Sequence, residues 1–261
     1  MTQSSSPSSL ELPIRYYCWY PPHDHIGYRE ETIILNRKSV ALLLVDVYLP
    51  DKYNPDGLDE DQSGSLSEKD YGLWRRKIED GVVPALNAVR KAGLPVIYVC
   101  NQNFGISPQN SQYGKKLKRS LGLNIERSFQ NLLKESQYSE GHIGNLNFID
   151  AVAPLPGDYF IGKTVYSGFF NTPLDSLLRN LGIDTLITAG FRLDACLLGT
   201  VLDAFYRNYR VILIRDATLA SELPHEIDRM AFTERMILHF EALIGETISV
   251  KDLEVATGSY H

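Results

Sequence analysis

Cysteine is scarce in this chain. There are 3, Cys18, Cys100 and Cys196, far apart and odd in number. That excludes a disulfide framework and the paired spacings of a zinc site, and it fits a reducing, cytoplasmic setting. Long apolar runs are missing as well: none approaches the ~20 residues that span a bilayer. The N-terminus, "MTQSSSPSSLELP", lacks the basic-then-apolar order of a secretory leader, so none is expected. Positive charge is not in excess. The net charge is -6, so neither nucleic acid nor an anionic membrane is an expected partner. Glycine-rich phosphate loops of the G-x-G-x-x-G and G-x-x-x-x-G-K-[ST] kinds are absent. So are the G-x-S-x-G elbow and H-E-x-x-H. "HDH" (His23 to His25) is the one chelating pattern, but it lies beside Pro21 and Pro22 in a terminal arm. No metal and no cofactor is expected.

What is present divides the chain into three parts. Residues 1–12 are rich in Ser and Pro and read as a disordered tail. Residues 13–38 form an aromatic arm, "IRYYCWYPPHDHIGY" at its centre, too apolar to lie free in water. Residues 39–261 form the body. There, short runs that are apolar throughout alternate with helical patterns. The runs are "SVALLLVD", "LPVIYVCN", "DYFIGK", "IDTLITAG" and "YRVILIRD", with "ETISV" as a short sixth. Helices are expected over Trp74 to Ala92, Thr172 to Leu181, Asp194 to Arg207 and Pro224 to Phe240. Uninterrupted apolar runs between helices indicate parallel strands covered on both faces, a doubly wound α/β sheet.

Open sheets of this kind bind ligands outside the carboxyl ends of their strands. The polar residues at those ends are Asp46, Asn101, Lys163, Arg192, Cys196 and Asp216. With Asp194 as N-cap, Cys196 falls in the first turn of a helix, where the helix end and a cation such as Lys163 favour thiolate. Asp46 is placed to take the thiol proton and return it to a leaving group. The N–H of Cys196 and one from the preceding loop would form an oxyanion hole. Taken singly, each residue also has an ordinary structural reading. Cysteine is usually a small buried hydrophobe, Asp46 a turn acid, Lys163 a solvated lysine. Cys100, inside a strand, reads as core.

Three segments carry a family likeness: "ALLLVDVYLPD", "GKTVYSGFFNTPLDSLLRNLGIDTLITAG" and "GFRLDACLLGTVLDAF". Together they resemble the isochorismatase-like cysteine hydrolases, on the branch of the N-carbamoylsarcosine and ureidoacrylate amidohydrolases. The resemblance implies a six-stranded parallel sheet with helices on both faces and a catalytic triad of Asp46, Lys163 and Cys196. It also implies a non-proline cis peptide between Phe191 and Arg192, with the N–H groups of Arg192 and Cys196 as the oxyanion hole. "NQNFG" stands where nicotinamidases carry an Asp-x-His metal site, and Cys196 stands where vinyl-ether hydrolases of the family lack cysteine. The expected function is therefore metal-independent cleavage of a C–N bond in a small amide, carbamoyl or ureido compound through a covalent Cys intermediate. The expected pocket walls are Tyr48, Asn101, Gln102, Tyr166 and Phe170, with the Arg192 side chain on a substrate carboxylate. The family habit of assembling, and the apolar arm, point to a homo-oligomer, a dimer or tetramer. The alternatives are a non-amide, isochorismatase-type hydrolase and a catalytically silent binding protein. Arg192 and Leu193, at a turn where the family often has a small residue and Thr, keep the second open.

Overall fold

The runs without alternation become the inner strands. In the computed structural model, which describes residues 8–19, 26–49, 68–101, 111–121, 146, 148–223 and 225–258, β3 (Val40–Val45) is buried at every position. Its side chains split by parity. Val40, Leu42 and Leu44 enter one apolar cluster, and Ala41, Leu43 and Val45 enter the other. A strand covered on both faces has no polar side to show, which is why "VALLLV" carries no period of two. Each of its fully buried leucines contributes ~1.5–3 kcal/mol of burial. β4 (Val96–Asn101), β5 (Tyr159–Lys163), β6 (Thr185–Phe191), β7 (Arg210–Leu219) and β8 (Glu246–Ile248) complete six parallel strands.

Two further strands extend that sheet. β1 (Ser9–Cys18) and β2 (Gly27–Asn36) form an antiparallel hairpin, in register from Ser9 opposite Asn36 to Cys18 opposite Gly27. β1 joins β8 at Arg15 opposite Thr247, giving the order β2-β1-β8-β7-β6-β3-β4-β5. The aromatic arm is thus part of the sheet. The reading of 1–12 as a disordered tail fails from Ser9 onward, where β1 begins and buries Leu10, Leu12 and Ile14 in the core.

Helices cover both faces. On one side α1 (Glu68–Lys77) passes through a π-helical turn (Ile78–Val82) into α2 (Val83–Lys91). α3 (Gln112–Leu121) follows in the stretch without a sequence assignment. α4 (Leu174–Asn180), α5 (Cys196–Tyr206), α6 (Ala231–Leu243) and α7 (Val250–Ala256) complete the set among the described residues. Leu86 and Val89 of α2 and Leu253 of α7 share the first cluster, while Leu178 of α4, Val201 of α5 and Phe240 of α6 share the second. The helix expected from Pro224 begins only at Ala231. There the Glu222 carboxylate accepts the N–H groups of Phe232 (3.2 Å) and Thr233 (2.6 Å), a cap supplied from outside the helix.

From the centre the chain winds both ways, β3 to β4 to β5 and β6 to β7 to β8, with β3 and β6 adjacent. This is the switch point, and its crevice lies outside the carboxyl ends of the strands. Gly190 makes the join possible. Its φ is +123°, and a Cβ there would lie 1.9 Å from the carbonyl oxygen of Val45. Beside it the β6–β7 pairing jumps from Thr188 opposite Leu213 to Gly190 opposite Thr218, an irregularity that re-aims the chain as it leaves the sheet.

Candidate active site

β3 ends at Asp46, whose φ of 49° lies in the left-handed region that disfavours a residue with a Cβ. Two hydrogen bonds hold it there. Its N–H donates to the carbonyl of Val99 (2.9 Å), and its Oδ1 accepts the N–H of Asn101 (3.0 Å). Lys163, the last residue of β5, is fully buried. Its Nζ lies 2.8 Å from Asp46 Oδ2 and donates to Asn101 Oδ1. Cys196 opens α5, with its thiol close enough to Asp46 and Lys163 for both to act on its pKa. Residues far apart in the chain therefore converge at one edge of the sheet. The Lys163–Asp46 contact is ionic rather than directed: buried Oδ2 has no hydrogen-bond donor aligned on it among the described residues.

The electrostatics correct one expectation. Burial, and then the charge of Asp46, push the Cys196 thiol up to about 12, with Lys163 only partly offsetting them. The resting sulfur is a neutral thiol, not a thiolate. Burial opposes the charge on Lys163, yet Asp46 and Cys196 beside it hold its pKa above the ordinary lysine value. The ammonium and the thiol are both kept protonated.

The turn between β6 and α5 contains the expected cis peptide, Phe191–Arg192. Its hydrogen bonds account for the N–H groups of Leu193, Ala195 and Leu197; those of Arg192 and Cys196 meet no backbone acceptor among the described residues. Asp194 is not the N-cap. Ala195 holds that position, and Asp194 Oδ1 accepts from the N–H (2.9 Å) and hydroxyl (3.2 Å) of Ser221. Asp216 is structural as well, its Oδ2 accepting the N–H of Val250 (2.8 Å) at the start of α7.

The Arg192 side chain does not serve as a free carboxylate clamp. It is 9% exposed, and its guanidinium donates to both oxygens of Asp70 (3.2 and 3.1 Å) and to the carbonyl of Ala220 (2.9 Å). It also stacks 4.4 Å above the ring of Trp74. The N–H groups it would offer a carboxylate already donate to Asp70 and Ala220. Of the expected pocket walls, Asn101 touches the cluster directly. Tyr48 follows one bond away, its hydroxyl accepting from Asn101 Nδ2 (2.9 Å) and its pKa raised by burial and then by Asp46. Tyr166 is 38% exposed and close enough for Cys196 to act on its hydroxyl, whereas Phe170 is 52% exposed. Gln102 lies outside the described residues, as do His23 to His25. Tyr113 of α3 was not anticipated. Its ring meets that of Tyr166 edge to face at 4.9 Å, and burial first, then the Cys196 charge, raise its pKa.

Two other features bear on function. A groove of about 710 Å³ is built by Tyr17, Cys18, Trp19, Met236, His239 and Leu243 with their neighbours, and it shares no residue with the cluster. Among the described residues, no helix is long and apolar enough to cross a membrane.

Comparison with known proteins bears on the fold and the family. Residues 74–247 match the family model for the isochorismatase domain. The chain is 30% identical over 237 residues to the ureidoacrylate amidohydrolase RutB of Methylobacterium radiotolerans, covering 88% of this chain and 84% of the relative. A RutB of Methylorubrum extorquens is 30% identical over 191 residues, 68% of this chain and 69% of the relative. Among solved structures, a cysteine hydrolase from Pseudomonas syringae superposes with a TM-score of 0.62 at 23% identity, covering 85% of this chain and 95% of that one. An N-carbamoylsarcosine amidase from Thermoplasma acidophilum gives 0.51 at 27% identity, covering 81% and 96%.

Proposed function

Because the chain belongs to the isochorismatase family, we propose that it is a cysteine hydrolase that cleaves the C–N bond of a small amide, carbamoyl or ureido compound without a metal. The observation that carries this reading is the meeting of Cys196 with the Lys163–Asp46 pair. A bare buried thiol has an ordinary core role. A buried thiol against a carboxylate and an ammonium has a base at hand and a cation to balance it.

The chemistry follows from the protonation states. Asp46 Oδ2, which lacks an aligned donor, takes the thiol proton as Sγ bonds to the carbonyl carbon. The negative charge passes from the carboxylate to the substrate oxygen, where the N–H groups of Arg192 and Cys196 receive it. The C–N bond breaks as Asp46 returns the proton to the leaving nitrogen. Water then attacks the thioester, gives its proton to Asp46, and the proton ends on the departing sulfur. Lys163 stays protonated throughout and holds the carboxylate in place. The raised thiol pKa suits this sequence, because proton transfer and attack occur together and no free thiolate accumulates.

The names of the relatives support ureidoacrylate and N-carbamoylsarcosine as first substrates to try. The test is ammonia release from these two compounds and from primary amides, with the parent and with Cys196→Ala and Cys196→Ser. The expected loss is at least about a thousandfold in kcat for a removed nucleophile. A variant that keeps full turnover removes the covalent mechanism, whereas no ammonia release by the parent leaves the vinyl-ether reading. The apolar groove that includes Trp19 and Leu243 supports self-association, which sedimentation reads directly.

A further inference from the structure

We infer that the hydroxyl of Tyr48 is a hydrogen-bond donor to the substrate, and that Asn101 fixes it in that role. The argument is one of proton polarity. It rests on the hydrolase reading for the location of the cleft, and on this chain's hydrogen bonds for everything else.

An ammonium has only protons to give, so whichever Asn101 atom faces Lys163 Nζ must be an acceptor. That identifies it as Oδ1 and removes the usual ambiguity between amide oxygen and nitrogen. The other end of the amide is then Nδ2, which has only protons to give in its turn. It lies 2.9 Å from the Tyr48 oxygen, so the phenol accepts there. The phenol's own hydrogen is left over, and it meets no acceptor among the described residues. The Asn101 amide is also anchored from behind, since its backbone N–H donates to Asp46 Oδ1 at 3.0 Å. The charge of Lys163 thus sets the direction of a chain of bonds ending in an O–H. Tyr48 is close enough to Asp46 and Cys196 for both to raise its pKa after burial does. The phenol is therefore a neutral donor, one hydrogen bond away from the residue that bridges Lys163 and Asp46.

A substrate that bears an oxygen or nitrogen acceptor beyond the scissile bond is favoured by this arrangement. A ureido or carbamoyl acid has such an acceptor; a simple alkyl amide does not. Asn101 is a positioning residue here, and Tyr48 determines specificity.

The test compares the parent, Tyr48→Phe, Asn101→Asp and the double variant on N-carbamoylsarcosine and on propionamide. Tyr48→Phe keeps the ring and removes the donor. It should raise KM for the ureido acid about three- to tenfold, the loss of one neutral hydrogen bond, and raise KM for propionamide by a clearly smaller factor. Asn101→Asp replaces the N–H donor by an acceptor. The phenol then turns its proton onto the new carboxylate, and the cleft loses it. The expected result is that Tyr48→Phe changes KM for the ureido acid in the parent and changes nothing in the Asn101→Asp background. Equal, additive losses in both backgrounds, or no loss in Tyr48→Phe, would overturn the inference. If Asn101→Asp does not turn over, the same comparison is made on the dissociation constant of N-carbamoylsarcosine in a Cys196→Ala background. Full activity in Cys196→Ala would sink the covalent mechanism instead, so the two failures are distinguishable.

Discussion

Nζ of Lys163 lies 2.8 Å from Oδ2 of Asp46, with the lysine side chain fully sealed and the aspartate side chain 5% exposed. Neither charge is tolerable there without the other, because each has lost its water. Lys163→Met is therefore expected to cost about 3–5 kcal/mol, leaving a buried carboxylate uncompensated. Adding Asp46→Asn to that variant should recover part of the loss. Urea unfolding of the three proteins measures this. Equal midpoints for the parent and Lys163→Met would show that the pair contributes nothing to the fold. Activity should be absent in both variants.

Asp46 and Lys163 act on the thiol in opposite directions, with the aspartate the stronger of the two. Removing the carboxylate charge should bring the Cys196 pKa down, towards the ordinary thiol value. In Asp46→Asn, iodoacetamide should therefore alkylate Cys196 faster than in the parent at pH 8, although hydrolysis is lost with the base. In the parent, the alkylation rate should keep rising with pH through the range where an exposed thiol levels off. Slower alkylation of Asp46→Asn would reverse the assigned electrostatics.

The doubly wound sheet and the set of strand-end residues were legible because both follow from simple constraints. A run such as "VALLLV" has no polar side, so it must be covered on both faces. The ends of such runs are where a doubly wound sheet exposes side chains, which brought Asp46, Lys163 and Cys196 into one set. The hairpin was missed although Leu10, Leu12 and Ile14 alternate with Glu11, Pro13 and Arg15, a period of two in plain view. The aromatic stretch after it and the tandem prolines drew the reading towards an arm. Arg192 and Asp194 show a different limit. A charged residue beside a nucleophile looks like a ligand group until its partners are known, and Asp70 and Ser221 lie far off in sequence. Tyr113 was legible only as part of a helical period with Leu117 and Leu121 in "QYGKKLKRSL", and such a period marks an apolar face without saying that it lines a cleft.

Arg192 ties the turn before the nucleophile to α1 through Asp70 and Trp74. Arg192→Gln should accordingly lower stability by about 3 kcal/mol, since the buried ion pair and the cation–π contact go together. Its effect on catalysis should be the same for substrates with and without a carboxylate. The ratio of kcat/KM for N-carbamoylsarcosine to that for propionamide reads this. A selective loss on the carboxylate substrate would mean that the guanidinium leaves Asp70 to bind it.

The raised thiols also predict how the fold responds to alkali. Burial, and then the charge of Asp46, push the Cys196 thiol up to about 12 from an ordinary value of 9.0, and burial holds Cys100 well above the same value. Between these limits the unfolded chain releases protons that the folded one keeps. The unfolded state then binds fewer protons, and stability falls as pH rises. The contribution is intact below the ordinary thiol range and shrinks above it, by up to ~1.4 kcal/mol per pH unit for each buried thiol. Lys163 adds the same sign at higher pH. Its folded pKa is raised, so its share is full below the ordinary lysine value of 10.5 and is lost above it. Urea midpoints at pH 8 and pH 10 should therefore separate clearly in the parent. They should lie closer together in Cys100→Ala, whose cavity lowers both midpoints but leaves one thiol fewer to titrate. An equal separation in parent and variant would mean that Cys100 ionises as freely in the folded protein as in the unfolded chain.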